Sequence, residues 1–153
     1  MTTATAFTPP SQDERVMAGL ANLSALLPTI GIIASIIIWA TQKDKSRFVY
    51  FQALQAIAYQ ITMIVFFLLG MGCYMLSFFG NFISIFLGAT SNSTVRLMGM
   101  TGFIIPFLVF GLIFLGWFVF IIYAIIAAIM VFQGKNFRYI IIGHMVQRFV
   151  DKK

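Results

Sequence analysis

The chain has 153 residues, 61% of them hydrophobic and only 9% charged, with a net charge of +6. A soluble domain carries roughly 25% charged residues, and one this small buries only about 70% of the surface its unfolded chain exposes. Water is therefore excluded as the solvent for most of the chain, and lipid is expected in its place. The positive charge does not point to nucleic acid, because the basic residues sit at the ends of apolar segments, where membrane topology places them.

The charges are segregated. No Asp, Glu, Lys or Arg occurs in residues 16–42, 48–95 or 97–134. A bilayer core of about 30 Å takes roughly 20 apolar residues of helix. Residues 1–11, rich in Thr, Ala and Pro, read as a disordered tail. Ser11 and Glu14 have the spacing of a capping box, which starts a first helix near Gln12 running to about Thr41. Pro28 and Gly31 predict a kink within it. A short loop holding Lys43, Lys45 and Arg47 comes next.

The second helix begins near Phe48. Gln52, Gln55, Tyr59 and Thr62 recur every three or four residues and share one face, with Ala53, Ala56 and Gln60 beside it. Unpaired amides in hydrocarbon cost several kcal/mol, so this face is expected to meet another helix or water. Gly70, Gly72 and Gly80 loosen the pattern. Residues 82–89 read as an interfacial or re-entrant piece, and residues 90–96 as a polar turn.

The third helix spans about 101–132. Phe103, Phe107, Phe110, Phe114, Trp117, Phe118 and Ile121 form one stripe, read as lipid or helix contact. Ala124, Ala127 and Ala128 offer a close-packing patch, and Gly134 a stop. The tail beyond it is amphipathic. Ile142, Met145, Val146, Phe149 and Val150 oppose His144, Gln147, Arg148 and Asp151, as on a helix lying on an anionic leaflet. Lys43, Lys45, Arg47, Lys135, Arg138 and Arg148 are the basic residues expected at the membrane surface.

These features predict an all-α integral membrane protein. Its domain, residues 12–134, has spans at about 16–41, 49–79 and 101–132, and residues 135–153 form a basic amphipathic tail. Four spans are the alternative. Three Lys or Arg lie in the first loop, five after the third helix and one between helices 2 and 3. The positive-inside bias then puts loop and tail in the cytoplasm, with the N-terminus out and the C-terminus in.

No catalytic, cofactor or metal site is expected. No ionisable residue other than tyrosines and Cys73 lies within the spans, and the lone Cys73 reads as buried, inert packing. His144 has no neighbouring ligand, and Ser24 and Ser35 have no base near them in sequence.

Three stretches carry a family resemblance. Lys45-Ser46-Arg47-Phe48-Val49-Tyr50-Phe51-Gln52-Ala53-Leu54-Gln55-Ala56 is similar to a signature of small bacterial membrane proteins of unknown function. Gly134, Phe137, Arg138, Tyr139 and Gly143 resemble their C-terminal motif, and residues 14–26 resemble their start. Asn22 stands where those proteins carry His, and Ile140 where they carry Pro. Residues 48–56 are also distantly similar to the Tic-type import component of the chloroplast inner envelope, which implies protein import.

The expected function is that of a small helical subunit or assembly component in the bacterial inner membrane. It would pack against a larger membrane complex, or against further copies of itself, with no chemistry of its own. The alternative is a channel or carrier lined by Gln52, Gln55, Tyr59 and Thr62.

Overall fold

A computed structural model describes residues 9–27, 30–88, 102–140 and 142–150, with the backbone alone for 87, 88, 145, 147, 149 and 150. The helices are α1 (Gln12–Leu23), α2 (Ile30–Gln42), α3 (Arg47–Gly88), α4 (Ile104–Phe132) and α5 (Ile142–Val150). Most of the N-terminal tail, Pro28, the polar turn at 90–96 and the last three residues lie outside the described residues.

The capping box forms as its spacing predicts. The Ser11 amide donates to Glu14 Oε2 at 2.7 Å, and the Glu14 amide donates to Ser11 Oγ at 3.3 Å. Both orphan donors are satisfied, and Asp13 and Glu14 face the positive end of the helix dipole.

The predicted first span is not one helix. α1 ends in a 3-10 turn at Ser24–Leu26, and Leu27 leaves the helical region at φ −104, ψ 93. The Leu27 amide donates to the Ser24 carbonyl at 2.9 Å, and the Ser24 hydroxyl to the Ala21 carbonyl at 2.8 Å. α2 then doubles back, so that the Ser35 hydroxyl also donates to the Ala21 carbonyl, at 3.0 Å. α1 and α2 have 12 and 13 residues. At 1.5 Å per residue each is about 20 Å long or less, short of a bilayer core of about 30 Å.

α3 starts at Ser46, whose hydroxyl accepts from the Val49 amide at 3.3 Å. It runs 42 residues without a break, about 63 Å of helix. Gly70, Gly72 and Gly80 do not interrupt it, and residues 82–88 continue it rather than forming a separate piece. Each glycine costs a helix only about 1 kcal/mol, too little to end so long an apolar run. α4 stops where Gly134 predicts. Gly134 takes φ +78, its amide donates to the Val131 carbonyl at 2.8 Å, and the Lys135 amide donates to the Met130 carbonyl at 3.1 Å. This is a Schellman closure, and it turns the chain back.

Two helices, α3 and α4, are long and apolar enough to cross a membrane. Three spans were expected; among the described residues the first apolar stretch forms two short helices, α1 and α2, that pack on each other, and a third span is not confirmed. The chain divides into two units, residues 1–62 with 121–153 and residues 63–120. In the second unit α3 and α4 pair antiparallel. Gly70 lies against Ile113 and Gly116 against Phe66. Ring pairs follow the same register: Phe66 with Phe120 at 5.5 Å, Tyr74 with Phe110 at 5.6 Å, and Phe78 with Phe103 at 5.9 Å. The predicted phenylalanine stripe therefore divides. Phe103 and Phe110 meet α3, while Phe107, at 74% exposure, faces outward. Cys73, expected to be buried, is exposed.

A methyl group at Gly31 would collide with the backbone carbonyl of Ser24, whereas one at Gly72 meets nothing within 4 Å. Gly31→Ala is expected to destabilise the protein by about 1–3 kcal/mol. Gly72→Ala should leave it unchanged or stabilise it by up to about 1 kcal/mol. Thermal unfolding in detergent micelles would read both.

Candidate functional site

The first unit holds two clusters of buried polar side chains. The first is a clamp between the start of α3 and the irregular segment after α4. The helical period puts Gln52, Gln55 and Tyr59 on one face, and the Gly134 turn lays residues 136–139 across it. Gln52 Nε2 donates to Asn136 Oδ1 at 2.9 Å and to the Phe137 carbonyl at 3.0 Å. Gln55 Nε2 donates to the same carbonyl at 3.3 Å, and Gln55 Oε1 accepts from the Tyr139 amide at 3.1 Å. Gln52 and Gln55 are fully buried. Their amides do the work that a neighbouring strand or helix would do for an irregular backbone.

Tyr139 is held on every side. Its ring stacks on Tyr59 with centroids 4.4 Å apart and meets Tyr123 and Phe137 edge-on at 5.4 and 5.1 Å. Its hydroxyl donates to Asn22 Oδ1 at 2.9 Å, and Asn22 Nδ2 donates to the Ala18 carbonyl at 3.0 Å. Burial, and next the neighbouring Tyr59 and Tyr123, push the Tyr139 phenol well above its ordinary value. It therefore stays protonated and remains a donor.

The second cluster closes the α1–α2 hairpin. Gln60 Nε2 donates to Ser35 Oγ at 2.9 Å and to Ser24 Oγ at 3.2 Å, and the two hydroxyls are 2.8 Å apart. Beside it, Ala21, Ala53 and Ala56 form a small-residue contact against which Ile38 and Trp39 pack.

The predicted polar face is thus brought together only in part. Gln52, Gln55 and Tyr59 join one cluster and Gln60 the other. Thr62 is exposed, and its hydroxyl donates to the Ala58 carbonyl of its own helix at 2.9 Å. The face meets an irregular segment rather than the helix or water that was expected. As Gln52 and Gln55 are fully covered, they line no open path here. Gln52 Oε1 and Trp39 Nε1 are buried without a protein partner among the described residues.

The motif residues take structural posts. Ser46 caps α3, Phe51 is buried, and Phe48 is half-buried. Gly143 is buried close to Arg138 and the Gln55 amide, where a larger residue would press on both. Lys43, Lys45, Arg47, Lys135, Arg138 and Arg148 are all exposed. Asn22, Ser24, Ser35, Tyr123 and Asn136 belong to these clusters but were not singled out as packing residues. Their signal in the sequence is only that they are polar residues within or beside apolar runs. Which of them meet depends on the hairpin.

Gln55→Leu removes the acceptor of a buried backbone amide and should cost about 1–3 kcal/mol. Thr62→Val should cost little. Faster trypsin cleavage at Lys135 and Arg138 in Gln55→Leu alone would check this. A hydrogen bond from the Ser46 side chain, then one from the Ser11 backbone, hold the Glu14 carboxyl below its ordinary value of 4.5. A lowered carboxyl stabilises the fold above 4.5, and that support is lost as the pH falls through the depressed value. Glu14→Gln should therefore flatten the decline of Tm with pH below about 4.5, as read by acid titration of thermal unfolding.

No curated protein and no solved structure matches the chain. A family model does, over residues 13–146: MamF/MmsF, described as the magnetosome magnetite crystal formation protein family. The match agrees with the expected small bacterial membrane family. It gives no support to the likeness to a chloroplast import component, which rested on residues 48–56 alone. A match that takes in both halves of the clamp and nearly the whole hairpin shows that the chain belongs to the magnetosome magnetite crystal formation protein family.

Proposed function

We propose that this chain is a small membrane accessory protein of magnetite crystal formation, acting through packing against other membrane components and carrying no catalytic step of its own. The observation that carries this reading is the family match over residues 13–146. The geometry agrees with it. Most of the buried polar atoms described in the first unit are spent on one another and on the backbone, as in a part built to hold a shape. The surface left over is apolar and suits lipid and neighbouring helices. Its place is a bacterial membrane, with the basic loop and the C-terminal segment on the cytoplasmic side. The partners are other membrane proteins of the mineral-forming compartment or further copies of this chain.

The test is genetic. The gene would be deleted in a magnetite-forming bacterium stripped of other members of the family, and crystals measured by electron microscopy. A change in mean crystal size or shape, restored by the wild-type gene, is the expected result. Crystals unchanged in number, size and shape would overturn the reading. Cross-linking in intact membranes followed by purification should recover the chain joined to a membrane protein or to itself. Recovery as an uncross-linked monomer would count against the packing role.

A further inference from the structure

The doubling back of α2 onto α1 changes where the N-terminus lies. Three contacts, all within the first unit, bring both ends of residues 12–42 to one level. The Glu14 carboxylate accepts from the Ser46 hydroxyl, at the start of α3. Arg15 lies over Gly134, at the end of α4. Trp39, near the end of α2, pairs with Tyr50 at 6.3 Å. At the opposite end, Ser24 and Ser35 meet Gln60. Gln60 is 13 residues beyond Arg47, which puts the tip of the hairpin about 20 Å along α3. A hydrocarbon core is about 30 Å thick beneath a headgroup layer of about 5–7 Å, so a hairpin whose charged base lies level with Arg47 among the headgroups stops near the middle of the core.

The polarity of the hairpin matches that depth. Its outer surface exposes Val16, Leu20, Leu27, Ile30, Ile33 and Ile37, each by 43% or more. Its base carries charge. Among the described residues, every Asp, Glu, Lys and Arg lies in the first turns of α1, in residues 43–47 or after α4. The exposed basic side chains there suit anionic headgroups. The tip is a turn, and turns have backbone groups that hydrocarbon cannot satisfy. Among the described residues, the Ser24 and Ser35 hydroxyls satisfy the Ala21 carbonyl and the Leu27 amide satisfies the Ser24 carbonyl from within.

We propose that residues 12–42 form a re-entrant hairpin whose apolar outer face takes the acyl chains of a single leaflet, the one on the side of the basic loop and the C-terminal segment. The chain then crosses the bilayer twice, through α3 and α4, and both termini lie on the same side. This departs from the three-span order read from hydropathy, in which the N-terminus lies opposite the loop. It does not depend on the role in crystal formation.

Site-directed labelling tests it on the full chain. With Cys73 replaced by Ser, single cysteines would be introduced as Gln12→Cys, Asp44→Cys and Ser93→Cys. Right-side-out and inverted membrane vesicles, washed in carbonate to confirm insertion, would be treated with a membrane-impermeant maleimide. Positions 12 and 44 should react from the same side, and position 93 from the other. Reaction of positions 12 and 44 from opposite sides would overturn the hairpin, and reaction of 44 and 93 from the same side would overturn the two crossings. An N-terminal reporter active on only one side of the membrane gives a second reading that does not depend on thiol accessibility. A signal from the side opposite position 44 would have the same force against the proposal.

Discussion

The structure turns on one constraint: a chain surrounded by apolar material must satisfy its own backbone wherever it stops being helical. The segment after α4 is such a place. Its Phe137 carbonyl and Tyr139 amide find partners in Gln52 and Gln55, more than eighty residues earlier in the chain. The two amides act as a short stretch of substitute secondary structure. The ring cluster around Tyr139 then excludes water, so the bonds operate where an unmade bond would be costly.

The same constraint explains the hairpin. The end of α1 releases the Ala21 and Ser24 carbonyls, and the chain recovers these two with the Ser24 and Ser35 hydroxyls and a 3-10 turn. Gln60 ties the bend to α3. Two serines that look ordinary eleven residues apart are thus what make the fold-back tolerable in an apolar setting. Gly31 matters for a related reason, since its missing side chain is what lets α2 lie against the turn.

Family membership and geometry converge on the same residues. Two of the three stretches that resemble small bacterial membrane proteins are the two halves of the clamp, Gln52 and Gln55 from one and Phe137 and Tyr139 from the other. Asn22, which stands in place of a histidine, keeps a hydrogen-bond acceptor for the Tyr139 hydroxyl. The motif is therefore readable as a folding element. Within the first unit it fixes the segment after α4 against the start of α3.

The sequence by itself determined the features that composition and local rules dictate. It settled the helical class, the apolar character, the capping box at Ser11 and the stop at Gly134. Each depends on residues within a turn or two of one another. It also put Gln52, Gln55 and Tyr59 on one face, because helical period alone does that. Only the tertiary structure decided what that face meets, that Gln60 and Thr62 do not share its fate, and that the first apolar stretch folds back. Hydropathy counts apolar residues but not direction, and 27 charge-free residues read the same whether they cross or return. Direction is decided by distant partners, Ser35 with Ala21 and Glu14 with Ser46, which local pattern cannot pair.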